Sequence, residues 1–80
     1  MKLWLLEPKP GGYVPKYDQH RGFVVRAGSG RTARTLAAKA DAGPFREAQD
    51  SVWIDADLTT CRELKADGPA EIILADFWEA

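Results

Sequence analysis

The sequence predicts an α+β fold: a four-stranded, largely antiparallel sheet with one main helix packed on one face, in the order β-β-α-β-short α-β. Three observations predict it. Four short apolar or β-branched runs are bounded by Pro, Gly or Asp clusters, and one segment carries apolar residues at helical spacing. The third is size: 80 residues, 45% of them hydrophobic, support a single domain spanning 1–80 and no more.

The elements follow in order. Lys2-Leu3-Trp4-Leu5-Leu6 is an apolar run stopped at Glu7-Pro8, hence a strand, and Pro8-Lys9-Pro10-Gly11-Gly12 opens a loop reaching about His20. Gly22-Phe23-Val24-Val25-Arg26-Ala27 is the second strand, antiparallel to the first. Neither alternates cleanly, which predicts cover on both faces. Ser29 stands as an N-cap before Ala33, Leu36, Ala37 and Ala40, an apolar stripe from which Arg31, Arg34, Thr35 and Lys39 point away. Gly43-Pro44 ends that helix, and residues 44–49 suit a short helical turn. Ser51-Val52-Trp53-Ile54 reads as the third strand, residues 58–64 as a helical turn capped by Asp57 or Thr59, and residues 70–77 as the fourth strand after the Asp67-Gly68-Pro69 turn. One helix cannot cover both sheet faces, so some of Trp4, Leu6, Val24 and Ile73 are expected at an exposed face suited to a partner.

Composition narrows the function classes. No apolar run approaches the roughly 18 residues of a membrane span, and Met1-Lys2 leads into a strand rather than a signal peptide. A single cysteine makes no internal disulfide. The expectation is a soluble, cytoplasmic, reduced protein that makes no membrane contact. The net charge of −1 hides an asymmetry: residues 1–40 hold eight bases and two acids, net +6, whereas residues 41–80 hold ten acids and three bases, net −7.

Gly28-Ser29-Gly30-Arg31-Thr32-Ala33 fits the dinucleotide fingerprint, with Asp55 ending the next predicted strand as the ribose-binding acid. The chain has no second mononucleotide-binding half, so a tight strand-to-helix turn is the preferred reading. Cys61 sits beside Arg62, which can lower a thiol pKa, but nothing places the single histidine, His20, within reach as a base. A small apolar filler is preferred for Cys61, and a polar strand-end role for His20. One Cys and one His do not make a tetrahedral metal site, and Asp55 with Asp57 suits an Asx turn and cap better than acid–base chemistry. The expectation is therefore no catalytic residue, no metal and no cofactor.

Charge is what remains. Arg21, Arg26, Arg31 and Arg34, near Tyr13, Tyr17 and Phe23, offer a basic face for nucleic acid, but a pI near 5.7 argues against a dedicated binder. The acidic set is larger: Asp50, Asp55, Asp57, Glu63, Asp67, Glu71, Asp76 and Glu79. On one face these carboxylates would imitate a phosphate backbone and be steered into a basic groove.

The motifs Trp4-Leu5-Leu6, Tyr17-Asp18, Gly22-Phe23-Val24-Val25-Arg26-Ala27, Ala33-Arg34 with Leu36-Ala37, Trp53 with Asp55, and Thr59-Thr60-Cys61 with Leu64 carry a resemblance over nearly the whole chain. Together they resemble small proteins encoded by phages and prophages, and most of all the type I-C anti-CRISPR proteins. The helix entry departs from that pattern, being Gly-rich here and acidic there, which further weakens the nucleotide reading. The resemblance implies a non-enzymatic, stoichiometric inhibitor acting in the bacterial cytoplasm, whose partner is a CRISPR Cascade subunit with a basic DNA-binding surface. Assigning the eight acids to that contact rests on charge, because the family motifs mark no binding residues.

Overall fold

A computed structural model describes residues 1–16, 19–45 and 47–76. Among these residues three strands and one α-helix are present: β1 (Lys2–Pro8), β2 (Phe23–Ala27), α1 (Gly30–Ala42) and β3 (Thr59–Leu64). Single 3₁₀ turns lie at Gly43–Phe45 and Ala48–Asp50. The sheet order is β2-β1-β3, antiparallel at both junctions. β2 and β3 therefore run in the same direction on either side of β1, and β2-α1-β3 is a split βαβ unit.

Register decides the two faces. Trp4 sits between Val25 and Glu63, and Leu6 between Phe23 and Cys61; these rows face α1. Leu5 sits between Val24 and Arg62, and Leu3 between Arg26 and Leu64, on the outer face. Leu5 and Leu6, adjacent in sequence, are both buried, which is the two-sided cover that their unbroken apolar run predicts.

The helix begins where its residues dictate. The Ser29 hydroxyl accepts from the Thr32 amide at 3.2 Å, and Gly43 closes the far end by donating to the Lys39 carbonyl. Its buried face differs from the predicted stripe. Ala33, Ala37, Ala38 and Ala42 are buried, whereas Leu36 is 46% exposed and Ala40 is exposed. The reason is Trp53, which lies fully buried among Ala33, Ala37, Ala38, Ala27 and Leu6. Small helix side chains let its indole fit between helix and sheet, and Tyr13 and Phe23 meet it edge-on at 5.8 and 4.9 Å.

Three predicted elements are corrected. Ser51-Val52-Trp53-Ile54 is not a strand but a run of turns, with amides of Ile54 and Asp55 donating to carbonyls of Ser51 and Val52. Burying Trp53 beneath the helix outweighs the β propensity of its neighbours. Residues 58–64 are not a helical turn. Thr59, Cys61 and Glu63 alternate with Thr60, Arg62 and Leu64, and the segment pairs along β1 as β3. Its polar members conceal the two-residue period. Residues 70–76 form no strand either, so the sheet has three strands among the described residues; Phe77, the predicted end of that strand, lies outside them. Residues 73–76 instead lie on the outer face: Arg62 donates to the Ile73 carbonyl, and Leu74, Ala75 and Asp76 line a groove with Leu5. Of the four residues expected at an exposed face, Leu6 is buried and Trp4 half-buried beneath α1, while Val24 and Ile73 are exposed.

Candidate functional site

The acidic residues gather in one place only in part. Residues 47–58, which include the 3₁₀ turn at Ala48–Asp50, lead into β3, and internal bonds hold this loop. The Asp55 carboxylate accepts from the Asp57 amide at 2.8 Å, an Asx turn that leads into a strand rather than a helix. The Asp55 carbonyl accepts the amides of Leu58 and Thr59, at 3.1 and 3.0 Å. Buried Thr59 directs its hydroxyl at the carbonyls of Val52 and Asp55.

Arg34 ties the loop to the helix. Its guanidinium donates to the Trp53 carbonyl, the Thr59 hydroxyl and the Thr59 carbonyl, each at 2.9 Å. The loop is therefore clamped from α1, and Asp50, Asp55 and Asp57 are left on its exposed side. Among the described residues none of these three is in an ion pair. Asp50 and Asp55 border a depression of about 330 Å³ with Val52, Ile54 and Leu58 in its wall. Ile54 and Leu58 escape a reading of the sequence based on charge, although apolar residues set between turn-forming acids are the available signal.

The remaining acids lie elsewhere. Glu63 stands roughly 13 Å along β3 from Thr59, with Lys2 at 3.6 Å. Asp76 pairs with Arg21 at 3.5 Å across the outer face. Asp67 and Glu71 are exposed in the segment after β3, and Glu79 lies outside the described residues. The eight predicted positions thus do not form one cluster: three share a clamped loop, and two are matched to bases.

The basic set fares differently. Arg34 does not point away from the protein; it is half-buried and engaged by the loop. Arg21 is paired with Asp76, while Arg26 and Arg31 are exposed. Tyr13 and Phe23 are packed on Trp53 instead of standing beside the arginines as stacking platforms; Tyr17 lies outside the described residues.

The dinucleotide-like motif is a turn and cap. Gly30 packs closely: a Cβ there would come within 3.3 Å of the Trp4 ring and 3.4 Å of Cys61 Sγ. Asp55 lies in the loop ahead of β3, not at the end of a strand after the helix. Cys61 is half-buried on β3, its Sγ 3.6 Å from the Gly30 carbonyl. Burial pushes its thiol pKa up, with Arg34 pulling weakly the other way, the reverse of an activated nucleophile. His20 meets Asp41 at 2.9 Å and lies against Phe23, with ring centroids 4.7 Å apart. Among the described residues no group of three or more His, Cys, Asp or Glu side chains is arranged to hold a metal ion. No described helix is long and apolar enough to cross a membrane. Comparison of the chain with protein-family models, with curated proteins and with solved structures finds no match.

Proposed function

We propose that this chain is a non-catalytic protein-binding inhibitor that docks its acidic loop on a basic, nucleic-acid-recruiting surface of a type I Cascade complex in the bacterial cytoplasm. The observation that carries the reading is the set of three exposed carboxylates, Asp50, Asp55 and Asp57, none in an ion pair among the described residues, on a loop clamped by Arg34 and Thr59. A loop already held in one shape loses little conformational entropy on docking. Unpaired carboxylates steer association with a basic groove, and exposed Ile54 supplies an apolar anchor among them. Glu63 and Asp76, already neutralised by Lys2 and Arg21, take a lesser part.

The test is target-DNA binding by purified type I-C Cascade, followed by gel shift with excess protein at low and high salt. Inhibition is expected, weakening as salt rises. Reversal of Asp50, Asp55 and Asp57 to Lys abolishes it, while Arg26→Ala and Arg31→Ala leave it intact. Undisturbed DNA binding by Cascade refutes the proposal. Direct binding of labelled oligonucleotides to the chain, lost in Arg26→Ala and Arg31→Ala, would instead favour a nucleic-acid-binding accessory protein. That rival is disfavoured by the engagement of Arg34 within the fold.

A further inference from the structure

The outer face of the sheet carries a second surface, independent of the acidic loop. Residues 72–76 run across it at an angle to the strands. Near one edge the Arg62 side chain of β3 donates to the Ile73 carbonyl at 3.2 Å. Near the other, Arg21, just ahead of β2, meets Asp76 at 3.5 Å. Between those ties, Leu74 and Ala75 line a groove of about 380 Å³ together with Leu5, Val24 and Glu7 of the sheet.

The strap is poorly rooted. Its residues belong to no strand, so no ladder of backbone bonds holds them. Ile72, Ile73 and Leu74 remain 81, 40 and 50% exposed. The Arg21–Asp76 pair is solvent-facing, which makes it a weak, salt-screened tie. The groove beneath is better made: Leu5 is its buried floor, Val24 one wall, and Arg21 a cation at its mouth.

We propose that the outer face is a peptide-docking groove occupied in cis by residues 72–76. An extended partner segment with a branched aliphatic side chain two residues before a carboxylate displaces the strap. Leu74 and Asp76 are the template for that chemistry: the aliphatic group covers Leu5 and Val24, and the carboxylate takes Arg21. With the strap in place the groove is shielded; with it displaced, an apolar floor with a cationic mouth is open to a partner.

The experiment uses the full-length chain with labelled methyl groups and, as probe, a synthetic peptide with the sequence of residues 71–76. In the wild type, nuclear Overhauser contacts join Leu74 to Val24 and Leu5. Asp76→Lys sets an ammonium against Arg21 and loses those contacts, while the Trp53 indole signal stays in place. The peptide shifts the Leu5 and Val24 signals, several-fold more tightly in Asp76→Lys than in the wild type. The same peptide ending in Asn in place of Asp binds more weakly, and Arg21→Glu abolishes binding. Unmoved Leu5 and Val24 signals in Asp76→Lys, equal binding to Arg21→Glu, or movement of Trp53 together with Leu5 would overturn the proposal. So would conversion of the wild type into a strap-exchanged dimer without the peptide. Leu74→Asp expels the strap by a second route and is expected to bind the peptide as Asp76→Lys does.

Discussion

Replacing Arg34 by Met keeps the aliphatic stem and removes three hydrogen bonds, each at 2.9 Å, to the Trp53 carbonyl, the Thr59 hydroxyl and the Thr59 carbonyl. A buried acceptor left without a partner costs about 1–3 kcal/mol. Thr59 is fully buried, whereas Arg34 is half-exposed, so entering water recovers part of the loss. The net expectation is about 2–3 kcal/mol. Against a total stability of about 4–12 kcal/mol for a chain of this size, that is a large fraction. It corresponds to a fall in Tm of about 10–20 °C. Arg34→Lys loses most of the same amount, because one ammonium does not present a planar fork to three acceptors. Thermal unfolding followed by far-UV circular dichroism measures the effect. A Tm for Arg34→Met within about 3 °C of the wild type would refute the clamp, showing that water serves these carbonyls as well as the guanidinium does.

Four further outcomes follow from packing and ionisation. Gly12→Ala sets a Cβ 2.9 Å from the Leu58 carbonyl oxygen, which also receives the amides of Lys9 and Tyr13; urea unfolding is expected to show a loss of about 1–3 kcal/mol. Ala38→Leu adds bulk where α1 is fully buried against the core that holds Trp53, and the same assay is expected to give about 1–3 kcal/mol of destabilisation from overpacking. The Cys61 thiol is pushed above 9.0 by burial, so the folded chain holds that proton longer than the unfolded chain does. Its contribution is complete below the unfolded value and is lost as pH rises through the folded one. Thermal scans from neutral to alkaline pH should therefore show a decline above about pH 9 that Cys61→Ala diminishes. At neutral pH the wild-type thiol should react with thiol reagents more slowly than free cysteine.

Much of the local structure was legible in the residues. The Leu-Trp-Leu-Leu run ahead of Pro8, the Phe-Val-Val run ahead of Gly28, and the alanine-rich segment between Ser29 and Gly43 each announce their element through propensity and bounding signals. The Asx turn at Asp55 and Asp57 was equally readable, because it depends on a side chain bonding to a nearby amide. The misread segments depend on partners distant in sequence. Thr59–Leu64 is a strand because β1 offers it an edge, and residues 51–54 turn because Trp53 is drawn beneath α1.

By itself the sequence determined an α+β class, one helix between Ser29 and Gly43, the strands β1 and β2, and a division of charge between its halves. Only the tertiary structure decided what the charges do. It turned Arg34 inward onto the Trp53 and Thr59 backbone, matched Glu63 with Lys2 and Asp76 with Arg21, and left Asp50, Asp55 and Asp57 exposed on one loop, in no ion pair among the described residues. Helical and strand periods are local properties of the chain, whereas the pairing of charges depends on which elements pack together, and that is settled only when Trp53 is buried and β3 docks on β1.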